Sequence, residues 1–413
     1  MKNKIICGDS LEVLKDFEDN YFDSVVTDPP YGLAFMGKKW DYDVPQVELW
    51  KEVYRVLKPG GHLLSFAGSR TYHRMAVNIE DAGFEIRDML GWLYGSGFPK
   101  SHNIGKAIDK LQGNKREDLG KNPAWRKGNG KNQTTSTGWA KPQRPNKTKG
   151  FTKWEGWGTA LKPAHEPIVM ARKPFNTTVA ENVLTHGTGG INIDDCRVGT
   201  DGGTKKIDTE NCRESLGKYG DGLNGGKVQS LNEGRFPANI IHDGSEEVLE
   251  VFEESSRFFY CAKASKAERN MGLDDFPDKV NKITNMYEME RNDGTIPELA
   301  HKKNYHPTVK PIKLMEYLVR LVTPKEGIIL EPFAGSGTTL IACKQQGFQF
   351  VGIEKEQEYC DIAEARLKAV QIQGTLFNDG KFFKGKNTIL TYNALFWLLT
   401  PLCLVFLAIC YQP

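Results

Sequence analysis

The chain has 413 residues, 39% of them hydrophobic, and its mean hydropathy is -0.49. These values predict a soluble globular protein with either one large domain carrying insertions or two domains, and they exclude an intrinsically disordered chain. The formal net charge of +3 is too small to indicate a class of partner by itself.

The cysteines and the first residues indicate the compartment. The eight cysteines are scattered and no two form a C-x-x-C pair, so the sequence predicts neither a structural zinc site nor a disulfide framework. No other metal site is expected, because His165 and Glu166 lack a third ligand at a useful spacing. The N-terminus has no long apolar segment of the kind that a signal peptide needs. We therefore expect reduced thiols and a cytoplasmic location.

Residues 3–100 alternate between predicted strands and helices. Pro29 and Pro30 end the second strand, because proline cannot continue a central ladder. The predicted strands are 4–7, 24–27, 62–66 and 84–92, and the predicted helices are 10–16 (capped by Ser10), 45–57 and 70–82. This alternation predicts an α/β protein with a mostly parallel sheet and helices on both faces.

Residues 101–300 lose the alternation, apart from one strand-like run at 168–171. Between Lys100 and Lys162 there are fifteen Lys or Arg residues against four acids, interleaved with five Trp or Phe residues. Cations beside aromatic rings suit a polyanion with stackable bases, so we interpret the region as an inserted module that contacts nucleic acid. A solvated basic insertion is the alternative.

Regular structure is predicted again from residue 306. A helix at 312–322 is followed by a strand at 328–330, a helix at 338–346 and a strand at 349–353. The last three of these elements form a βαβ unit of the nucleotide-binding type.

The C-terminal tail is apolar. No charged residue follows Thr388, and three lysines at 381, 384 and 386 precede it. Length, apolarity and the basic flank fit a membrane contact through residues 388–411, with the main body in the cytoplasm. A terminal helix buried on the core and an extension foreign to the domain are the alternatives.

Gly335-Ser336-Gly337 follows a predicted strand and opens a predicted helix. Glycines in such a turn let the backbone approach a ligand. Leu340 stands where a dinucleotide-binding loop has its third glycine, and the lysine of a phosphate-binding loop is absent. The pattern therefore favours an adenosyl group without a pyrophosphate, as in S-adenosylmethionine, with Glu354 accepting from the ribose hydroxyls. A tight structural turn is the alternative.

Asp28-Pro29-Pro30-Tyr31 supplies a carboxylate, a stiff turn and an aromatic ring. The exocyclic amino group of a base is a poor nucleophile, because its lone pair is delocalised into the ring. A carboxylate and a backbone carbonyl that accept its two protons would localise that lone pair, and proline holds such a carbonyl in place. Tyr31 would stack on a base taken out of the helix. A strand-ending turn is the alternative.

Together these motifs resemble those of the DNA amino-methyltransferases, whose signatures are Asp/Asn/Ser-Pro-Pro-Tyr/Phe/Trp for catalysis and Phe-x-Gly-x-Gly for the cofactor. Residues 6–10, 37–41 and 306–311 are similar to three further segments of that family: its first strand and turn, its mobile loop, and the segment before the cofactor strand. The catalytic motif precedes the cofactor motif, which implies the circularly permuted β group with a target-recognition region between them.

The resemblance implies a Rossmann-like, mostly parallel, seven-stranded methyltransferase sheet. It implies that residues 1–100 form the catalytic half, 101–300 the inserted recognition region and 301–375 the cofactor-binding half. Residues 376–413 are interpreted as a linker and an apolar tail, and this tail departs from the family.

The resemblance also implies direct in-line transfer to a flipped base. Asp28 and the Pro29 carbonyl would bind the amino group within the turn that Pro30 completes, and Tyr31 would stack on the base. Lys310 would bind the carboxylate of the cofactor. The implied contacts to S-adenosylmethionine are Asp9, Lys310, Glu331, Phe333, Gly335, Ser336, Gly337, Thr338 and Glu354.

The implied reaction is methylation of the adenine N6 amino group in double-stranded DNA, because Asp at position 28 is commoner among the adenine enzymes. Methylation of the cytosine N4 amino group, or of RNA or a protein glutamine, stays open, as does a silent DNA-binding protein. Carbon-5 methylation of cytosine is not expected, since the chain has no Pro-Cys pair. A restriction endonuclease is a further partner that the resemblance admits.

Overall fold

The computed structural model describes residues 2–33, 39–95, 97, 101–120, 147–198, 234–250, 258–277, 279–280 and 301–370. They belong to one compact unit, Met1–Ile372. The apolar tail lies outside these residues, so the predicted membrane contact through residues 388–411 stays a prediction. Among the helices in the described ranges, none combines the length and apolarity needed to cross a membrane.

The described strands and helices follow the predicted alternation within residues 3–100 and 306–370. The strands are β1 (Lys4–Cys7), β2 (Phe22–Thr27), β3 (Leu57–Phe66), β4 (Glu85–Leu93), β5 (Glu117–Asp118), β6 (Thr148–Lys149), β7 (His165–Arg172), β8 (Ile240–His242), β9 (Phe259–Tyr260), β10 (Lys279–Val280), β11 (His301–Lys302), β12 (Ile328–Glu331) and β13 (Gln349–Glu354). The helices are α1 (Ser10–Leu14), α2 (Val47–Val56), α3 (Tyr72–Asp81), α4 (Ile104–Gln112), α5 (Val179–His186), α6 (Glu246–Leu249), α7 (Lys266–Arg269), α8 (Ile312–Val322), α9 (Thr338–Gln345) and α10 (Gln357–Ala369).

Nine of these strands form one sheet in the order β1-β13-β12-β2-β3-β7-β4-β8-β9. Neighbouring strands are parallel except where β7 pairs antiparallel with β3 and β4. The prediction of a mostly parallel, Rossmann-like α/β sheet is confirmed. The predicted number of seven strands is wrong, because the short strands β8 and β9 extend the sheet beyond β4 and pair its edge.

The region 101–300 is not a separate insertion throughout. Strand β7 lies inside the central sheet, and Pro167–Ala171 is buried there because both of its neighbours are sheet strands. Strands β7, β8 and β9 thus belong to the central sheet, and the predicted domain boundaries stay a prediction. Outside the sheet, the described part of the basic region comprises α4 and the two-stranded ladder of β5 and β6.

Helices cover both faces of the sheet, as predicted. One buried cluster contains the apolar side of α8 and residues of α9, and it packs against β3, β4 and β7. The opposite cluster contains the apolar sides of α2 and α3, with Trp50 fully buried. The site described below lies where the carboxyl ends of the central parallel strands emerge between these layers.

Two local predictions need correction. Asp9, and not Ser10, caps α1: its side chain accepts a hydrogen bond from the Leu11 amide at 3.1 Å. Residues 58–61, predicted to separate α2 from the next strand, are part of β3. They are held there because Lys173 pairs with this segment through the hydrogen bonds Gly60 N to Lys173 O and Lys173 N to Gly61 O.

Candidate active site

The two predicted motifs lie at the same edge of the sheet. Asp28 follows β2, and the loop of Gly335 and Gly337 follows β12, its parallel neighbour. Asp9 and Glu354 lie at the ends of β1 and β13, which are also parallel neighbours. These segments border one cavity of about 870 Å³. The predicted site residues that line it are Asp9, Asp28, Pro29, Pro30, Tyr31, Lys310, Glu331, Phe333, Gly335, Ser336, Thr338 and Glu354.

Asp28 is a half-buried carboxylate with both oxygens engaged. Its Oδ1 accepts from the Tyr31 hydroxyl at 2.8 Å, and its Oδ2 accepts from Lys310 Nζ at 2.7 Å. Burial raises the pKa of Asp28 above its usual range, although Lys310 acts in the opposite direction. The predicted acceptor for an amino group is therefore present, and it already holds two donors.

The turn after Asp28 is held by hydrogen bonds with the side chains of Asp41 and Thr71. Asp41 Oδ1 accepts from the amides of Tyr31 at 2.7 Å and Gly32 at 3.1 Å, and Thr71 Oγ1 donates to the Tyr31 carbonyl at 2.6 Å. Pro29 is buried. These contacts hold the turn rigidly enough to position a carboxylate and a ring.

Lys310 lies at the catalytic end of the cavity. Besides its contact with Asp28, its Nζ lies 3.0 Å from the Tyr31 hydroxyl and 3.2 Å from Glu166 Oε2. Burial acts to lower the pKa of Lys310, but the carboxylates of Asp28 and Glu166 outweigh it and raise that pKa. A contact of Lys310 with the cofactor's carboxylate stays a prediction. In the structure its ammonium is bound by protein carboxylates.

Glu166 is a functional candidate that the sequence interpretation missed. It lies near the start of β7, and its Oε1 accepts from the Tyr94 hydroxyl at 3.2 Å, while its Oε2 lies 3.4 Å from the Tyr31 hydroxyl. Burial raises the pKa of the Tyr94 phenol, with Glu166 as the second cause. Glu166 belongs to no recognisable motif. The sequence feature that could have indicated it as a site residue is an acid placed just before an apolar run.

The glycine loop has the left-handed backbone that only glycine adopts easily. Gly335 has φ +52° and Gly337 has φ +78°. A Cβ at Gly335 would lie 2.8 Å from His306 Nε2, and one at Gly337 would lie 2.9 Å from the Ala363 Cβ. Gly337 is the predicted site residue that does not line the cavity. Its role is to start α9 close to α10.

Glu354 supports the same loop. Its Oε2 accepts from the Gly335 amide at 2.7 Å and its Oε1 accepts from the Glu356 amide at 2.9 Å. Burial raises the pKa of Glu354. Each carboxylate oxygen has two lone pairs, so Glu354 can hold the loop and still accept from a ligand hydroxyl.

Glu331 is buried beneath the loop. It accepts hydrogen bonds from Thr27 Oγ1, from Thr339 Oγ1 at 2.6 Å and from the Phe333 amide at 3.1 Å. Burial raises the pKa of Glu331 to about 8. These contacts join β2, β12 and α9, so Glu331 ties the catalytic motif to the cofactor loop.

Ser336 and Thr338 are both bound by Arg366. Arg366 of α10 donates to the Ser336 carbonyl at 2.6 Å, to Ser336 Oγ at 3.0 Å and to Thr338 Oγ1 at 3.2 Å. Arg366 is fully buried, and burial lowers its pKa to about 10. Arg366 therefore holds the glycine loop in place through Ser336 and Thr338, and the sequence analysis did not predict this role.

Asp9 and His306 complete the cofactor end. Asp9 Oδ2 accepts from Lys355 Nζ at 3.0 Å, and this hydrogen bond is the main cause that lowers the pKa of Asp9. His306 Nδ1 lies 2.9 Å from the Thr308 carbonyl, so Nδ1 carries the hydrogen and Nε2 is an acceptor. Burial lowers the pKa of His306 to about 4, so it is neutral at pH 7.

Part of the basic, aromatic region is described. Trp154 and Trp157 pack edge to face with their ring centroids 5.1 Å apart, and Lys153 Nζ lies 5.3 Å from the Trp154 ring. Phe151 and Trp157 are 80% and 59% exposed. The predicted combination of cations and exposed rings is therefore present in residues 147–162, and residues 121–146 lie outside the described ranges.

Comparison with known proteins gives the family. A family model described as DNA methylase (N6_N4_Mtase) matches residues 22–365. Because this match spans most of the chain, the protein belongs to the DNA methylase family. The resemblance to the DNA amino-methyltransferases inferred from the motifs is thereby confirmed.

The sequence identities to three individual proteins are between 15% and 26%. The type II methyltransferase M.HindIII of Haemophilus influenzae is 26% identical over 325 residues, which are 78% of this chain and 68% of that protein. The crystal structure of an M1.HpyAVI–SAM complex has a TM-score of 0.39 and 17% identity, covering 88% of this chain and 99% of that one. The PvuII DNA methyltransferase (cytosine-N4-specific) has a TM-score of 0.42 and 15% identity, covering 88% and 85%.

Proposed function

We propose that this protein transfers a methyl group from S-adenosylmethionine to the N6 amino group of adenine in double-stranded DNA. The observation that carries the proposal is that the Asp28–Tyr31 turn and the Gly335–Gly337 loop open into one cavity. Membership of the DNA methylase family supports DNA as the substrate.

The charges around the cavity fit S-adenosylmethionine better than a nucleotide with phosphates. Acids border it at both ends, while Lys310 is bound by Asp28 and Lys355 by Asp9. Such a lining favours a sulfonium cation and ribose hydroxyls and disfavours a polyphosphate. When bound, S-adenosylmethionine supplies an electrophilic methyl group on a positively charged sulfur.

Four residues of this chain would hold the cofactor. The loop glycine Gly335 allows close backbone approach, and the ring of Phe333 lines the same cavity. Glu354 has lone pairs left for the ribose hydroxyls, and Asp9 lies beside it on the neighbouring strand.

The catalytic turn would make the amino group reactive. Asp28 would accept a hydrogen bond from one amino hydrogen and the Pro29 carbonyl from the other, which would localise the nitrogen lone pair toward the methyl group. Tyr31 stacks on the flipped base, and the buried turn keeps both acceptors in position. Transfer would be direct, with the N–C bond forming as the S–C bond breaks and with the amino nitrogen releasing one proton, and it needs no covalent intermediate with the protein.

Adenine is preferred over cytosine because Asp, and not Ser, stands at position 28. Methylation of the N4 amino group of cytosine is the alternative, since the same turn can bind either amino group. The exposed rings and cations of residues 147–162 are proposed to contact DNA. A restriction endonuclease partner and a cytoplasmic location stay predictions.

The test is expression of the full chain in a host without DNA methylation, followed by sequencing that detects modified bases and by mass spectrometry of the nucleosides. The expected product is N6-methyladenine at one recurring sequence. N4-methylcytosine as the sole product would contradict the adenine assignment. Purified protein that labels RNA or a protein glutamine with tritiated methyl groups, and leaves DNA unlabelled, would contradict DNA as the substrate.

A further inference from the structure

The two donors that occupy Asp28 share one alternative acceptor. Lys310 Nζ lies 2.7 Å from Asp28 and 3.2 Å from Glu166, and the Tyr31 hydroxyl lies 2.8 Å from Asp28 and 3.4 Å from Glu166. In both cases the contact with Asp28 is the shorter. Glu166 is therefore the second partner of this donor pair.

Transfer to an amino group requires a strong acceptor on Asp28. Tyr31 and Lys310 hold one oxygen each, and the Lys310 ammonium offsets the negative charge that makes Asp28 a strong acceptor, so release of Lys310 would strengthen the hydrogen bond from an incoming amino group. Lys310 is 8% exposed, and its Nζ lies 4.7 Å from the centre of the Phe66 ring. An ammonium released into such surroundings without an anionic partner would be strongly destabilised.

Glu166 is in a fixed position to receive that ammonium. It lies near the start of β7, where the strand pairs with Trp92 of β4. Tyr94 donates to its other oxygen at 3.2 Å, which leaves Oε2 directed at Lys310. A small shift of Nζ would exchange the nearer carboxylate for the farther one.

We propose that Glu166 is a positioning residue for methyl transfer, which takes over the Lys310 ammonium while Asp28 binds the amino group of the target base. This inference rests on the proposed function. It assigns to Glu166 a part in freeing Asp28, and no contact with cofactor or base.

The first test is Glu166→Gln, which keeps the length of the side chain and an acceptor for Tyr94 but removes the charge. We expect kcat for DNA methylation to fall about 10- to 100-fold, the loss typical of one charge-assisted hydrogen bond, with an unchanged Kd for S-adenosylmethionine. Glu80→Gln, which removes an exposed acid of α3 outside the cavity, is the matched control and should leave kcat unchanged. A kcat of Glu166→Gln within twofold of wild type would overturn the proposal.

A double-mutant cycle with Lys310→Met separates this role from support of the fold. If Glu166 acts by receiving the ammonium, Glu166→Gln should change single-turnover transfer less than about twofold once Lys310 is absent. An equal reduction in both backgrounds would mean that Glu166 acts independently of Lys310 and would overturn the proposal.

A crystal structure of the wild-type protein with S-adenosylhomocysteine and DNA of the methylated sequence gives a readout that does not depend on variant activity. Lys310 Nζ should lie nearer Glu166 than Asp28 in that complex, and an unchanged Lys310–Asp28 contact would refute the exchange. Normal wild-type methylation with an unaffected Glu166→Gln variant removes only this inference. Absence of methyl transfer by the wild type to any DNA removes the proposed function and this inference together.

Discussion

Asp28→Asn tests the catalytic assignment with the smallest change of shape. The introduced amide keeps one oxygen that can accept from Tyr31, but it places an amide nitrogen where Oδ2 of Asp28 now accepts from Lys310. Two donors then face each other, and the charged acceptor for the substrate amino group is lost, because the one remaining oxygen is uncharged and already accepts from Tyr31.

The kinetic effect follows from losing that acceptor. Removal of one preorganised hydrogen-bonding group at a reacting centre commonly reduces kcat about 10²- to 10³-fold, which corresponds to about 3–4 kcal/mol of transition-state stabilisation. Asp28 has no hydrogen bond to the Gly335 loop among the contacts of the described residues. We therefore expect the Kd for S-adenosylmethionine to stay within about twofold of wild type.

The effect on stability depends on pH. Burial raises the pKa of Asp28, so the ionised carboxyl is less favourable in the folded chain than in the unfolded chain. Its unfavourable contribution appears as the pH rises above the unfolded pKa and is complete above the folded pKa. The neutral amide of the Asp28→Asn variant lacks this contribution, so the Tm of the variant relative to that of wild type should rise between about pH 4 and pH 7.

Three measurements on one preparation decide the case: single-turnover transfer of a tritiated methyl group to DNA, calorimetric titration with S-adenosylmethionine, and thermal unfolding at pH 4 and pH 7. Transfer within tenfold of wild type would refute the catalytic role of Asp28. Loss of transfer together with loss of cofactor binding would show that Asp28 acts on the fold, and a relative Tm that falls between pH 4 and pH 7 would contradict the raised pKa of Asp28.

Two further predictions concern the cofactor loop. Because burial raises the pKa of Glu331 to about 8, the folded chain retains a proton that the unfolded chain releases, and stability should fall by up to about 1.4 kcal/mol per pH unit between about pH 5 and pH 8. Glu331→Gln should remove that slope in urea unfolding curves, and an unchanged slope would contradict a protonated Glu331. Gly337→Ala adds a methyl group 2.9 Å from Ala363 at φ +78°, whereas Gly347→Ala has a similar φ of +76° and open space. The Gly347 variant should lose about 1–2 kcal/mol of unfolding free energy and keep its cofactor affinity, and the Gly337 variant should lose a further 1–3 kcal/mol or so and bind S-adenosylmethionine more weakly. Equal losses would show that the contact with α10 is unimportant.

Local patterns were enough to predict the elements between residues 312 and 354. Helix α8 has the predicted bounds, and β12, α9 and β13 differ from prediction by a residue at one end. Helix periodicity and glycine stops depend on neighbours within a few residues, so one sequence contains them. Strand β7 was recognised as a strand but assigned to an insertion, because its antiparallel partners are far away in the chain.

Some features of the candidate site could be predicted from local sequence, and others could not. Asp28–Tyr31 and the Gly335 loop were predicted because each is a contiguous motif whose chemistry follows from its residue types. The ion pair of Lys310 with Asp28 joins positions 282 residues apart. Such pairing depends on which strand ends meet at one edge of the sheet, and no spacing in the sequence records it.

The sequence by itself determined the two motifs, their order along the chain and the alternating elements that carry them, because these depend on local backbone preferences and residue chemistry. Only the tertiary structure decided that Lys310 pairs with Asp28 and Glu166, and that Arg366 binds the residues of the glycine loop. The physical reason is that burial and charge pairing depend on distances across the sheet. Those distances are set by strand order, which brings segments separated by most of the chain within hydrogen-bond reach.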